Sequence, residues 1–151
     1  MGILVWDDKF NMAPPENQQA ILDFCNMLEF ESDIVKDNIV ECWIKMFDKF
    51  VQKASNQELS VPLQNEKDFY DYLFRFIEED IDGRTQFRTQ RLGFVNVEPT
   101  EEYPYDRRLQ YMVIAALSIG DSRDSRELKN PIYEKWEATL KEFDDKAPEG
   151  L

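Results

Sequence analysis

The chain has 151 residues and a formal net charge of −13, from 31 Asp and Glu against 18 Lys and Arg. Hydrophobic residues make up 42% and aromatic residues 13%, enough for one buried core and too much for a disordered chain. No histidine is present, which excludes His-based triads, His metal sites and His pH switches.

The elements are read in chain order. Ile3 to Trp6 is short and apolar and reads as an edge strand or a tucked arm, within an N-terminal arm of residues 1–15. It has no basic leader and is too short for a signal peptide. Trp6 stands where a myristoylation signal after Gly2 wants Ser or Thr. From Glu16 the spacing is helical, with Ala20, Ile21, Phe24, Cys25 and Leu28 on one face. Ser32-Asp33 reads as the N-cap of a second helix. Val35, Ile39, Cys42, Trp43, Met46, Phe47 and Phe50 form its stripe. Asp33, Asp37 and Glu41 early and Lys45, Lys49 and Lys53 late complement its dipole. Residues 54–65 read as a polar loop. Asn65 caps a third helix carrying Phe69, Tyr70, Leu73, Phe74, Phe76 and Ile77, which Asp82-Gly83 ends.

Leu92 to Val97 alternates as a short strand that could pair with Ile3–Trp6. Leu109 to Ile119 is apolar nearly all round and predicts a fourth helix through the core, stopped by Gly120. Asp121 to Lys129 reads as charged loop. Asn130-Pro131 starts a fifth helix with Ile132, Tyr133, Trp136, Leu140 and Phe143 on its face, followed by a frayed tail, 144–151. The expected fold is mainly α: one domain over residues 1–151, a compact bundle of about five helices with at most a two-stranded ribbon.

Cys25 and Cys42 lie in apolar helical patterns and read as two reduced core thiols in a cytoplasmic protein. No run approaches a membrane span. With no His and two core Cys, no transition-metal set exists and no cofactor is expected. Asp80-Ile81-Asp82-Gly83 resembles the opening of a calcium loop, but Thr89 stands where the closing Glu belongs. Asp121, Asp124 and Glu127, interleaved with Arg123 and Arg126, read as a self-neutralising loop. Nucleophile elbows, phosphate loops and dinucleotide fingerprints are missing, so the chain is not expected to be an enzyme.

Charge carries the remaining signal. Residues 1–83 are net −11 and residues 84–151 net −2. Glu78, Glu79, Asp80 and Asp82 crowd the expected C-terminal end of the third helix, where the dipole is already negative. Acids placed against a local rule point toward a partner surface, unless Arg75, Arg84 and Arg88 neutralise them. Glu101 and Glu102 form a second acidic group. Arg84, Arg88 and Arg91, with Arg107 and Arg108 as spatial companions, form a basic island suited to an anion. Against a net charge of −13, nucleic acid is a poor partner. The expected function is a small acidic protein that binds and neutralises a basic protein. Immunity proteins that occlude nuclease toxins have this profile, a likeness of type without matching residues. The alternatives are a structural or adaptor domain, and an acidic nucleic-acid mimic inhibiting a DNA-binding defence protein. Interspersed basic residues disfavour the mimic.

Overall fold

Along the chain, the computed structural model runs β1 (Gly2–Val5), α1 (Pro15–Asn26), β2 (Val35–Glu41), α2 (Trp43–Ala54), α3 (Glu66–Glu79), α4 (Ile81–Arg88), β3 (Leu92–Asn96), β4 (Arg107–Ser118) and α5 (Arg126–Lys146). It describes residues 1–6, 9–119 and 125–151. A π-helical turn, Met27–Glu31, extends α1.

This is an α+β fold, which corrects the expected helical bundle. The decisive element is β4. Its 12 residues pair antiparallel with all three other strands. β1 takes one edge, with Val5 opposite Met112 and Gly2 opposite Ala115. On the other edge β3 pairs with the first half, Asn96 opposite Arg107 and Leu92 opposite Met112. β2 follows along that same edge, with Glu41 opposite Ala115. Ile3–Val5 and Leu92–Asn96 are thus both strands, but they flank β4 rather than pair with each other. A central strand with apolar residues on both faces has no period-2 signature, so its sequence reads equally well as a buried helix.

The second expected helix is also corrected. Its first half is β2 and only Trp43–Ala54 is helical. Asp37 and Asn38 both adopt left-handed backbone, φ 54° and 58°, a conformation these residues tolerate better than most. Residues 36–39 consequently bulge from the strand between the Val35 and Val40 pairings. The favourable order of charges fails as a helix argument, because Asp33, Asp37 and Glu41 lie outside the helix. Ser32 caps no helix; its hydroxyl accepts from the Ile34 N–H at 3.2 Å.

The inner face of the sheet packs on the helices. Ile3, Val5, Leu92, Leu109, Met112, Ile114 and Ala116 are buried there, against Ile21, Phe24 and Leu28 of α1 and its extension, Phe47 and Val51 of α2, and Phe69 and Phe76 of α3. Trp43 opens α2, and its indole N–H donates to Met112 Sδ at 2.9 Å, at the residue flanked by both β1 and β3. Trp136 of α5 is buried and donates to Ser118 Oγ at 3.2 Å. Tyr133, expected on the same face, is exposed. α5 begins at Arg126, before Pro131, which lies inside it. Gly120 and Asp121–Asp124 lie outside the described residues.

One further correction concerns covalent structure, and the C-terminal residues make defined contacts. Cys25 and Cys42 form a buried disulfide joining α1 to the residue before α2. The final residues are held in place: Gly150 is buried, its carbonyl accepts from the Asn11 N–H at 3.0 Å, and Asn17 Nδ2 donates to the Glu149 carbonyl at 3.2 Å.

Candidate functional site

The expected acidic end of the third helix is two helix ends. α3 stops at Glu79, and Asp80 serves both as its C-cap and as the N-cap of α4. The Asp80 carboxylate accepts from the N–H groups of Asp82 (2.8 Å) and Gly83 (3.4 Å). Asp80 and Asp82 therefore sit at a helix N-terminus, where negative charge is stabilising. Gly83 does not terminate α3. It lies in α4 where that helix crosses α3, and a Cβ there would stand 2.1 Å from the Phe76 carbonyl oxygen. The dipole conflict belongs only to Glu78 and Glu79. Glu79 pairs with Arg75 at 3.1 Å, one turn back, and Glu78 reaches Arg107 of β4 at 3.4 Å. Arg75 thus neutralises as anticipated, and Arg107 joins it.

The loop that carries the second acidic group packs on the same helix through its tyrosines. Residues 97–106 link β3 to β4 as a hairpin loop, closed by a Val97 N–H to Asp106 carbonyl bond of 2.9 Å. Glu101 and Glu102 are exposed on it. Tyr103 and Tyr105 of the same loop fold onto α3. The Tyr103 ring lies 5.0 Å from Tyr70, and the Tyr105 ring 5.6 Å from Tyr70 and 5.2 Å from Phe74. Aromatic packing of this kind supplies both buried area and a preferred geometry. Sequence periodicity does not reveal it, because the contacts join residues more than 30 positions apart.

Between this loop and the exposed side of α3 runs an open groove of about 540 Å³, lined by Asp68, Asp71, Tyr72, Phe74, Arg75, Glu78 and Tyr105. Three carboxylates and three aromatic rings line it, with Arg75 among them. Of its acids, Asp71 accepts two side-chain hydrogen bonds. Lys67 donates to its Oδ2 at 2.5 Å and Tyr105 to its Oδ1 at 2.8 Å. Burial works against the charged form, but these hydrogen bonds outweigh it and hold the Asp71 carboxyl below the ordinary aspartate range. Burial, then the hydrogen bond to Asp71, raises the Tyr105 hydroxyl above the ordinary tyrosine value. Asp68 accepts from Asn65 Nδ2 at 2.7 Å.

The rings of this region already carry cations. The Arg107 guanidinium lies 5.1 Å from the Phe74 ring centre and Arg75 lies 5.5 Å from that of Tyr72. Carboxylates and ring faces thus hold the chain's own guanidinium groups in this region. The internal ion pairs are exposed, and such pairs contribute at most about 1 kcal/mol each, so an incoming cation can exchange with them.

Of the expected partner-binding residues, Glu78 lines the groove and Glu79 lies beside it. Glu101 and Glu102 sit on the loop that forms its other wall. Asp80 and Asp82 belong to the capping of α4. Asp68, Asp71, Tyr72 and Tyr105 were missed. The signal for the three on α3 was the polar row Asp68, Asp71, Tyr72, Arg75, Glu78 and Glu79, half-buried to exposed, at helical spacings of three and four.

The basic island does not assemble. Arg84 and Arg88 are exposed one turn apart on α4. Arg91 instead forms an ion pair with Glu41, bridging the place where β2 and β3 meet along β4. Arg107 and Arg108 turn to α3, Arg108 toward Glu66 at 3.9 Å and over the Tyr103 ring at 4.7 Å. Among the described residues no group of three or more His, Cys, Asp or Glu is placed to hold a metal ion, and no helix is long and apolar enough to cross a membrane. Comparison with known proteins finds no family model, no curated protein and no solved structure that matches this chain.

Proposed function

We propose that this protein binds a basic protein and neutralises it by occlusion, as an immunity protein does to a nuclease toxin. The observation that supports the reading is the groove lined by Asp68, Asp71 and Glu78 together with Tyr72, Phe74 and Tyr105. An Arg or Lys side chain of the partner would enter it as an anchor. The acids of the hairpin loop and the net charge of −13 would steer the encounter. The nucleic-acid mimic is less well supported, because Lys67, Arg75 and Arg107 lie among the acids of α3 and its neighbour. A mimic needs an uninterrupted acidic face. The Cys25–Cys42 disulfide favours an oxidising compartment over the cytoplasm first expected.

The test uses an Arg-rich peptide as probe, at several salt concentrations. The wild type should bind it, more weakly as salt rises. Asp68→Asn, Asp71→Asn and Glu78→Gln together should weaken binding at least tenfold. A control triple, Glu16→Gln, Asp23→Asn and Glu142→Gln, changes net charge equally on α1 and α5 and should have a much smaller effect. Equal losses in the two triples would reduce the interaction to long-range charge and sink the groove as a site.

A further inference from the structure

The sheet ends at two edges, and only one of them is blunted. β2 and β3 line one edge, and the pairing of each with β4 is interrupted, between Val35 and Val40 and between Gly93 and Phe94. On β2 the interruption carries Lys36 and Asp37, with Asp37 and Asn38 in left-handed backbone. Charges and bulges of this kind keep an edge strand from pairing with another chain. β1, at the opposite edge, has neither. Gly2–Val5 contains no charged residue and no proline, and its register against β4 is unbroken.

β1 turns half of its backbone polar groups outward. Met1 and Ala116 exchange two bonds, from the Met1 amino group to the Ala116 carbonyl at 2.6 Å and from the Ala116 N–H to the Met1 carbonyl at 2.9 Å. Bonded and non-bonded pairs alternate along an antiparallel ladder. Ile3 and Val5 therefore bond to β4, while the N–H and C=O groups of Gly2 and Leu4 face away from it. Among the described residues these groups have no hydrogen-bond partner. Beside them runs a groove of about 410 Å³. Its lining includes every residue of β1, inward and outward alike, which places it along the strand's edge, and α5 with Leu151 forms the far wall. Leu140, Phe143 and Leu151 make that wall apolar, and its two charges, Lys141 and Asp144, are opposite in sign.

We infer that the β1 edge is a docking site for an extended segment of another protein, which adds to the sheet as a further strand. The outward N–H and C=O groups specify the occupant, because an extended backbone presents matching groups at the same two-residue repeat. Side chains of the added strand alternate, so every second one enters the groove toward Leu140 and Phe143, where apolar residues fit. Lys141 and Asp144 offset each other, so the segment that fits is uncharged at its centre. A second copy of this chain fits less well. It would bring another net charge of −13 to the same place and offer only the four residues of its own β1. No residue lining this groove lines the one on α3, and the inference does not depend on the function of the latter.

The probe is a capped synthetic peptide of alternating Thr and Val, titrated into the isotope-labelled full chain and followed by amide NMR. It should bind, and hydrogen exchange at the Gly2 and Leu4 amides should slow, while Ile3 and Val5, already bonded to β4, change little. The same peptide N-methylated along its centre keeps its side chains and loses its backbone donors, and should bind roughly tenfold or more weakly. Leu4→Pro removes one outward N–H and no bond to β4, which an edge strand permits. It should weaken binding to a similar extent with unchanged far-ultraviolet circular dichroism. Equal binding of the plain and methylated peptides, an arm that needs no variant of the chain, would mean that side chains alone make the contact and would overturn the inference. So would a probe that does not bind, or one that binds and leaves Gly2 and Leu4 unprotected. Protection of those two amides that grows with protein concentration in the absence of peptide would name a second copy as the occupant and exclude the one inferred. The Asp68→Asn, Asp71→Asn, Glu78→Gln triple should leave probe binding intact, so the two proposals fail separately.

Discussion

The α3 groove and the outer sheet face differ in what their surfaces are made of. The groove is acidic, is walled by a loop, and holds its residues through hydrogen bonds and ring contacts such as Tyr105 on Asp71. The sheet face is largely apolar, with Glu41 opposite Ala115 and paired to Arg91, and is built on backbone pairing. A net charge of −13 is therefore a poor description of either. It averages one surface that concentrates acid with another that carries little of it. The lesson is that charge should be read per face: acids carried by all five helices are withheld from three of the four strands. Salt should separate the two surfaces, weakening contacts at the groove and sparing those at the sheet.

The largest expected effect is on the scaffold behind the sheet face. The disulfide ties Cys42, the residue after β2, to α1 across 17 residues of sequence. Closing a loop of that size is worth about 3 kcal/mol on the chain-entropy account. For a chain of this length a reductant should lower Tm by roughly 10 °C. The loss should not be shared evenly. β2 is held to β4 at only three positions, so its amides should gain exchange with solvent before those of α3. Uniform loosening in a hydrogen-exchange experiment, or a Tm indifferent to reductant, would break the distinction between a tethered sheet edge and an independently packed α3.

A pair of glycines sharpens the comparison. At Gly83 an added Cβ meets backbone, the Phe76 carbonyl at 2.1 Å; at Gly93 it meets a side chain, the Tyr111 ring at 1.9 Å. Backbone between two packed helices cannot give, so Gly83→Ala should cost about 2–3 kcal/mol. The Tyr111 ring lies on the outer face and can swing aside, so Gly93→Ala should cost roughly 1 kcal/mol. Denaturant melts of the two variants give the ranking. A reversed order would mean that the sheet face is the more tightly packed of the two.

How much of this was legible follows the same division. α1, α2 and α3 show their amphipathic period plainly, and Asn65 was readable as a cap because its side chain answers the Asp68 N–H three residues on. β4 was not readable, because a strand apolar on both faces hides its period. The other half of that pattern, Val113, Ala115 and Leu117, is half-buried or exposed. β2 was hidden because Val35, Ile39 and Cys42 happen to continue the helical spacing of α2. The acids were readable as a surplus, but their roles were not. Only the crossing of α3 and α4 turns Asp80 into a cap, and only the hairpin loop brings Tyr105 to Asp71.

The smallest expected effect tests whether that last contact tunes the groove. Asp71 is held below its unfolded pKa of about 3.9 by Lys67 and Tyr105, against the opposing effect of burial. A carboxyl with a depressed folded pKa contributes stability that is fully present above the unfolded value and is lost as pH falls through the folded one. The window therefore lies below about pH 4. The side chain is 44% exposed, so solvent screening limits the contribution to no more than a few tenths of a kcal/mol. Tyr105→Phe removes the hydroxyl donor while keeping the ring against Tyr70 and Phe74. The Asp71 titration midpoint, followed by carboxyl-carbon NMR, should move up toward the ordinary aspartate value, with stability near pH 7 almost unchanged. Lys67→Met should move it in the same direction, since the ammonium is the other donor. If Tyr105→Phe leaves the midpoint where it was, the hydroxyl does not hold the carboxylate, and the loop wall of the groove is fixed by ring packing alone.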